Sequence, residues 1–371
     1  MLSYLREKNI HTWLGGVLRH QVQSLLTRDG FSGPKHILFS VCDHYEPLWG
    51  EASDEVGTRR VQAWLDRYPE MVAPFRDADG HHPKHSFFFP GEEYRPFFLD
   101  GLAQLAKAGL GEVELHLHHA DDNAANLRKT IAEYLQIYAK HGHLSRDASG
   151  RLRYAFIHGN WALANGHPSG KDCGVDEELP LLFDTGCYAD FTWPAAPDPA
   201  QPQIVNKIYW PLGQLERRRA YDGPFEEARV GHWHKDRLLF IEGPLTLTLK
   251  RGKVPVRLEN GHITGNDPAS PSRVKSWVGQ NIHICGRPDW IFIKVYTHAA
   301  PEKVAESYLG EGGRMLHSEL TSRYNDGERY RLHYVTAREM YNISVAAMEA
   351  KSGDPNDYRD YLLPPPPAAA G

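Results

Sequence analysis

The sequence has no long apolar run, no excess of basic residues and no closely spaced pair of cysteines. Its 42 lysines and arginines are outnumbered by 47 aspartates and glutamates, and a net charge of −5 provides no basic surface for nucleic acid or anionic lipid. No segment approaches the roughly 20 apolar residues of a membrane-spanning helix. The first residues, MLSYLREKNIHTWLGG, carry charges where a signal peptide has an apolar core. We therefore expect a cytoplasmic protein that binds neither nucleic acid nor membranes.

The four cysteines are too far apart to form a CxxC metal or redox motif. They are Cys42, Cys173, Cys187 and Cys285. Reduced thiols fit this spacing, and a single disulfide is also compatible with it. The chain has 371 residues, of which 41 % are hydrophobic, so it is long enough for one large domain or two ordinary ones.

Segments with the apolar character of strands alternate with segments of helical periodicity. The strand-like segments are 36–47, 84–94, 112–123, 154–163, 290–300 and 331–336. Helical spacing of apolar residues covers 56–76, 97–108 and 123–140. This alternation predicts βα units in a parallel sheet or barrel. In such folds the active site lies at the carboxyl ends of the strands.

The composition divides the chain into five regions. Residues 1–33 are predicted as an N-terminal helical extension, 34–199 as the first part of the α/β domain, and 290–362 as its remainder with a C-terminal helix. Between these parts, 200–289 are rich in proline and glycine and are predicted as a β-rich insertion or subdomain. The last residues, 363–371 (LPPPPAAAG), are of low complexity, and we expect them to be disordered.

Four of the predicted strands end in side chains that bind metals or transfer protons. These side chains are Asp43, His44 and Glu46; Glu92 and Glu93; His116, His118 and His119; and His158, Asn160 and Trp161. On a strand, His116 and His118 point to the same face, about 7 Å apart. Two imidazoles in this arrangement can converge on one ion with N–metal distances of about 2.0–2.1 Å. The pattern therefore predicts a metal or catalytic site at this edge.

These motifs, in this order, resemble those of the polysaccharide deacetylase (NodB homology) family. A buried strand ends in Asp43, the next strand reads KHSFFFPG, and a helix then leads into AGLGEVELHLHH. Further along, WIFIKVYTHAA is similar to the last motif of the family, an apolar strand followed by a histidine. The resemblance covers roughly residues 36–125. It implies an α/β fold, an irregular (β/α)7-type barrel, here with a β-rich insertion.

The same resemblance implies a divalent metal ion, zinc, and a saccharide substrate. The ligands would be Asp43, His44, His116 and His118. Such an enzyme removes acetyl groups from an N- or O-acetylated saccharide through a metal-activated water. Asp43 would take the proton of that water, and His298 would protonate the leaving group. If Asp43 binds the metal instead, Glu46 or Glu93 becomes the candidate base.

The chain departs from the family at the metal ligands. Where the family has two aspartates, Cys42, Asp43 and His44 occur, so His44 replaces a carboxylate ligand unless Glu46 serves. The family spaces its two histidines four residues apart, and the residue four after His116 is Ala120. The second histidine position is therefore open. The alternatives are His118, His119 and Asp122.

Several residues at the strand ends are candidates for binding the sugar. They are Glu92, His158, Asn160, Trp161 and Tyr45. Aromatic rings there can stack on pyranose rings. The arginine of the family's third motif is absent, and His158, Asn160 and Trp161 occur in its place. By contrast, we expect Glu178 on a solvated helix face and His85 away from the site.

Two other functions are compatible with the sequence. One is a glycoside hydrolase of the same barrel superfamily, in which Asp43 is paired with Glu92 or Glu93. The other is a non-catalytic barrel that binds a saccharide. The histidine cluster favours the metal-dependent hydrolase, because a carboxylate-pair glycosidase does not need it.

Overall fold

A large, mostly parallel sheet forms the centre of the protein, whose computed structural model describes residues 7–26, 33–249 and 256–370. The strands are β1 Lys35–His44, β2 His85–Pro90, β3 Gly111–Leu117, β4 Ser145–Arg146, β5 Leu152–His158, β6 Cys187–Asp190, β7 Ile208–Pro211, β8 Phe225–Glu227, β9 Leu239–Ile241, β10 Thr246–Leu249, β11 Val256–Glu259, β12 His262–Ile263, β13 Trp290–Thr297 and β14 Tyr330–Tyr334. The helices are α1 Ile10–Leu26, α2 Asp54–Val72, α3 Pro96–Lys107, α4 Ala124–Lys140, α5 Glu178–Thr185, α6 Pro271–Gly279, α7 Glu302–Tyr308, α8 Glu311–Arg323 and α9 Ala337–Met348. Among the described helices, none is long and apolar enough to cross a membrane.

The strand order places the predicted site strands next to one another. The path through the sheet is β12-β13-β1-β2-β3-β5-β6-β9-β7-β8, and it is parallel from β12 to β9. β1 pairs with β14 over its first half and with β2 over its second half. Because parallel strands end at the same edge, β1, β2, β3, β5 and β13 bring their carboxyl ends together. The α/β class and the parallel sheet predicted from the sequence are confirmed.

Alternate residues of β1 face two different cores. Val41 packs in the larger core with Trp64 of α2. Leu38 and Cys42 face the second core, which includes Met340 of α9. Both faces of the sheet are thus buried, which explains the continuous apolar runs in its strands.

The segment 200–289 is built into this sheet at both ends of its path. β7, β8 and β9 continue the sheet beyond β6, and β12 pairs with β13. β10 and β11 form a separate antiparallel pair. Part of the region predicted as an insertion therefore belongs to the central sheet.

The described part of the tail contacts the domain. Leu363 is buried, and its backbone nitrogen and oxygen bond to the side chain of Asn342. Ala368 donates its backbone N–H to the carbonyl of Gly142. These contacts hold residues that we expected to be disordered, and Ser145 adds a further one by donating its hydroxyl to the carbonyl of Pro364.

A buried ion pair ties α9 to β3, the strand that carries His116. Nε and Nη2 of Arg338 lie 2.9 and 2.7 Å from the two carboxylate oxygens of Glu112. Nη1 of Arg338 also donates to the carbonyl of Leu363. Both charged groups are nearly fully buried, and Arg338 is the one cation paired with Glu112 among the described residues, while Arg338 also pairs with Asp360.

We expect Arg338→Met to lower the free energy of unfolding by about 3–5 kcal/mol, because it leaves Glu112 charged and buried with only the Thr336 hydroxyl bonded to it and no cation. Urea unfolding measures this loss. Arg338→Met combined with Glu112→Leu should recover much of it. Arg128→Met, which breaks an exposed pair with Asp184, should cost less than about 1 kcal/mol. Equal losses from Arg338→Met and Arg128→Met would contradict the expectation.

His143 makes the fold sensitive to acid. Its Nε2 donates to the carbonyl of Leu99, and burial lowers the pKa of His143 to about 4. The neutral ring is therefore favoured in the folded state, and stability present above pH 6.5 is lost as the pH falls towards 4. Between pH 7 and pH 4, the free energy of unfolding of the wild type should fall by up to about 3 kcal/mol more than that of His143→Gln, as measured by urea unfolding. If the difference in free energy of unfolding between the wild type and His143→Gln does not change with pH, His143 does not have this role.

Candidate metal centre

The buried carboxylate of Glu46 is the meeting point of histidines from neighbouring strands. Glu46 follows β1 and is 1 % exposed. Its Oε1 lies 3.0 Å from Nε2 of His116 and 3.2 Å from Nε2 of His118. Atoms that bind one tetrahedral ion through bonds of about 2.0–2.2 Å lie roughly 3.3–3.6 Å apart. The two contacts to Glu46 are a few tenths of an ångström shorter, and all three atoms lie within 4.8 Å of one another, so a small outward shift brings them to the spacing of ligands to a single ion.

The far sides of both rings are hydrogen-bonded as in metal-binding histidines. Nδ1 of His116 lies 2.9 Å from the carbonyl of Ile157, and Nδ1 of His118 lies 2.6 Å from Oε1 of Glu92. Because a carbonyl only accepts, Nδ1 of His116 carries a proton, so Nε2 reaches Glu46 either with a second proton or with a lone pair. A lone pair facing a carboxylate needs a cation or a second proton between them. Zinc-binding histidines donate their other N–H to a carbonyl or carboxylate in this way.

His44 and His298 also lie close to Glu46, with one ligand-type atom of each of the three residues within 4.8 Å of the others. The ring of His44 has its centroid 4.8 Å from that of His116 and 4.4 Å from that of His298. Nδ1 of His44 and Oε2 of Glu46 are buried and have no hydrogen-bond partner among the described residues. Burial lowers the pKa of His44 and of His298, so both rings are neutral and able to bind a cation. We call Glu46, His44, His116, His118 and His298 the Glu46 cluster.

The charges of the Glu46 cluster favour a cation at its centre. Burial alone would raise the pKa of Glu46, but hydrogen bonds from His116 and His118 outweigh it and lower the pKa to about 2. Burial would lower the pKa of His118, but Glu46 and Glu92 outweigh it and raise the pKa to about 10. The carboxylate therefore stays negative and holds a positive charge beside it. With two orphaned buried atoms and a nitrogen-rich donor set, these residues fit a zinc-type ion.

Asp43 lies outside the Glu46 cluster, which corrects its assignment as ligand and base. Successive strand residues point to opposite faces, and Asp43 shares the face of Val41 rather than that of His44. Its Oδ2 lies 2.9 Å from Nε2 of His85, and its Oδ1 accepts the backbone N–H of Ala299. Asp43 is fully buried with both oxygens occupied. It positions the backbone next to His298, and His85 takes part in this contact.

Two tryptophans flank the Glu46 cluster. The ring of Trp161 lies 6.2 Å from that of His44 and 6.3 Å from that of His298. Trp49 is 53 % exposed, and its ring lies 6.0 Å from that of His298. The exposed ring of Trp49 beside His298 provides a surface on which a ring-shaped substrate can stack.

Tyr45 is not available to a substrate, contrary to our expectation. It is fully buried, with its ring packed edge-on against Trp64 and Phe87. The cause is again strand alternation, because Tyr45 follows the same parity as Asp43. Glu92, also predicted to bind substrate, instead holds His118.

Glu93 lies beside the Glu46 cluster without binding to its histidines. One of its oxygens accepts the backbone N–H of Leu48 at 2.5 Å. Burial, helped by the charges of Glu46 and Glu92 and opposed by the hydrogen bond from Leu48, raises the pKa of Glu93 to about 7. A carboxyl group with this pKa can gain or lose a proton near neutral pH.

His158 and Asn160 belong to a different group of residues. Nδ1 of His158 accepts the backbone N–H of Asn160 at 3.1 Å, and its other ring nitrogen points towards Glu178. Glu178 is fully buried rather than on a solvated helix face. The helix periodicity could not reveal this, because Glu178 is the first residue of α5 and faces the adjoining loop.

His262 and Tyr296 are further neighbours that the sequence did not reveal. The two rings stack at 4.5 Å, and the ring of His262 lies 5.3 Å from that of His298. β12, which carries His262, has only two residues, too few for a periodic pattern. Pairing of β12 with β13 brings this histidine to the site.

Two cavities, of about 400 and 460 Å³, lie in the described structure away from the Glu46 cluster. The first is lined by residues that include Arg153, Trp210 and Tyr341, and the second by residues that include Lys275 and Arg329. Neither is lined by a residue of the Glu46 cluster. The donor set and its orphaned atoms, rather than volume, identify the candidate site.

Gly159 leaves room for the ring of His118. A Cβ atom on Gly159 would overlap that ring, so Gly159→Ala should push His118 away from Glu46 and weaken metal binding roughly 10- to 100-fold. Competition with a chelator measures the affinity. Gly279→Ala is the matched control, because a Cβ atom there meets nothing within 4 Å. Unchanged affinity in Gly159→Ala would show that His118 is not a ligand.

In comparisons with known proteins, no family model matches this chain and no curated protein is significantly similar to it. The resemblance to polysaccharide deacetylases therefore depends on the order and spacing of the motifs in the sequence. The function is inferred below from the geometry and chemistry of the Glu46 cluster.

Proposed function

We propose that this protein is a metal-dependent hydrolase that removes acetyl groups from an N- or O-acetylated saccharide. Glu46, His116 and His118 hold a divalent ion, zinc, with His44 and His298 beside it. The observation that carries the proposal is the convergence of two Nε2 atoms on one oxygen of Glu46. Active sites of α/β enzymes lie at the carboxyl ends of parallel strands, where these residues are found.

Each residue has a part in the reaction. A bound zinc ion supplies Lewis-acid chemistry, polarising a carbonyl and lowering the pKa of a water. Glu92 and the carbonyl of Ile157 fix the orientation of the two histidine ligands. Glu93 accepts the proton of the attacking water and then gives it to the leaving amine or alcohol. His298, which the sequence predicted as the acid, is neutral because burial lowers its pKa, so it does not supply this proton.

Contacts across the sheet support a barrel of the deacetylase kind. Nζ of Lys294, in β13, lies 3.1 Å from the carbonyl of Trp193, which follows β6. Gly243, which follows β9, donates its N–H to the same carbonyl. A Cβ atom on Gly243 would overlap the carbonyl oxygen of Lys294. Strands far apart in the pairing order are thus in contact, as they are when a sheet curves into a barrel.

The aromatic rim favours a saccharide as substrate. Trp49 is exposed and Trp161 is partly exposed, and both lie beside His298. Rings in such positions can stack on the apolar face of a pyranose. The glycosidase alternative has less support, because two of its candidate carboxylates are already bonded within the protein. Asp43 is buried with both oxygens bonded, and Glu92 is bonded to His118.

The test is His116→Ala combined with His118→Ala. We expect the wild type to release acetate from acetylated chito-oligosaccharides or acetylated xylan in a metal-dependent manner, and the variant to lose this activity by about 100-fold or more. Plasma mass spectrometry should show at least one metal ion fewer per chain in the variant.

The matched control is His232→Ala combined with His234→Ala. This pair has the same spacing and also lies beside a glutamate, Glu226, but on the surface. It should keep the acetate release of the wild type. Equal loss in both variants, or full metal content in the His116 and His118 variant, would contradict the proposal.

A further inference from the structure

A second group of metal-ligating side chains lies next to the Glu46 cluster. His119 follows β3, His158 ends β5, Cys173 lies in the loop after β5, and Glu178 begins α5. One ligand-type atom from each lies within 4.8 Å of the others. We call these four residues the His119 cluster. It shares no residue with the Glu46 cluster, although His118 and His119 are consecutive.

Glu178 is a buried carboxylate without a cationic partner of its own. It is fully buried, and among the described residues no lysine or arginine pairs with it. Its Oε2 accepts the backbone N–H of Ala164, and its Oε1 lies 3.1 Å from Nε2 of His119. An ionised carboxylate in such surroundings needs a positive charge nearby.

His119 is arranged as a metal ligand with a carboxylate behind it. Its Nε2 faces Glu178, while its Nδ1 lies 3.3 Å from Oδ2 of Asp122, a close contact that lacks the angle of a hydrogen bond. A carboxylate behind the far nitrogen is the usual support of a histidine that binds zinc. The side chain of His119 is 7 % exposed, so this arrangement is largely shielded from water.

Cys173 brings a sulfur atom to the same point. Its Sγ lies 3.6 Å from Oε2 of Glu178 and accepts the backbone N–H of Asn165 at 3.0 Å. Ligand atoms around a tetrahedral ion with bonds of about 2.0–2.3 Å lie roughly 3.4–3.8 Å apart. Backbone N–H groups that point at the sulfur stabilise a metal-bound thiolate.

His158 completes the group as a hydrogen-bond donor. Because Asn160 donates to its Nδ1, the neutral ring carries its proton on Nε2. That nitrogen is buried, lies 3.9 Å from Oε1 of Glu178, and has no partner among the described residues. An unpaired buried N–H directed at the centre of the cluster calls for an acceptor there.

We propose that His119, Cys173 and Glu178 bind a second metal ion, zinc, and that His158 donates its Nε2–H to a water or hydroxide in the fourth position. A thiolate and a carboxylate together neutralise the charge of the divalent ion. Imidazole, thiolate and carboxylate are the donors that zinc takes in proteins. The ion would join the loop after β5 to the ends of β3 and β5, and Trp161 lies in that loop.

Cobalt(II) chloride is the probe, added to protein stripped of metal by a chelator. A thiolate bound to cobalt gives a charge-transfer absorption in the near ultraviolet, whereas the Glu46 cluster offers only nitrogen and oxygen. We expect the wild type to show this band. Cys173→Ser should lose it and bind one cobalt ion fewer per chain. The control, Cys285→Ser, should keep both, because Cys285 lies outside the His119 cluster and is only partly buried.

Absence of the band in the cobalt-loaded wild type, or an unchanged band in Cys173→Ser, overturns the proposal. If Cys173→Ser fails to fold, X-ray absorption of the zinc-loaded wild type decides. A sulfur neighbour at about 2.3 Å supports the site, and nitrogen and oxygen neighbours alone contradict it. The band should persist in the variant with His116→Ala and His118→Ala, so the outcome here is independent of the proposed hydrolase activity.

Discussion

A carboxylate removed from water needs donors or a cation, and Glu46 meets this need with imidazole rings. Two ring nitrogens lie about 3 Å from one of its oxygens, while its other oxygen and Nδ1 of His44 have no partner among the described residues. A proton can satisfy one of these contacts, whereas the ion that we propose between Glu46, His116 and His118 would compensate both ring contacts together. The arrangement of His116 and His118, and of the groups that hold them, follows from this requirement.

The parallel sheet supplies these groups through its strand order. β3 carries His116 and leads into His118, and it lies between β2 and β5. β5 provides the carbonyl that bonds His116, and the turn after β2 provides Glu92 for His118. β1 and β13 bring His44 and His298 to the same edge. The ligands therefore come from separate parts of the chain, but each is fixed by a neighbour in the sheet.

The α/β architecture was predictable because alternating strands and helices leave a strong periodic signal, and the polar strand ends marked the edge of the sheet where the Glu46 cluster lies. The face of each side chain was harder to predict. A shift of one residue at the end of β1 separates His44 and Glu46, which face the histidines, from Asp43 and Tyr45, which are buried on the other face. The burial of Glu178 and the approach of His262 depend on loop and strand pairings that have no periodic signature. They became visible only when the tertiary contacts were known.

Anomalous diffraction from crystals of the zinc-loaded wild type tests the central claim most directly. The account predicts a peak between the carboxylate of Glu46 and Nε2 of His116 and His118, about 2.0–2.2 Å from each ligand atom. If no peak occurs there at saturating zinc, and Glu46 instead keeps its direct contacts with both rings, the Glu46 cluster is a hydrogen-bonded network and not a metal centre.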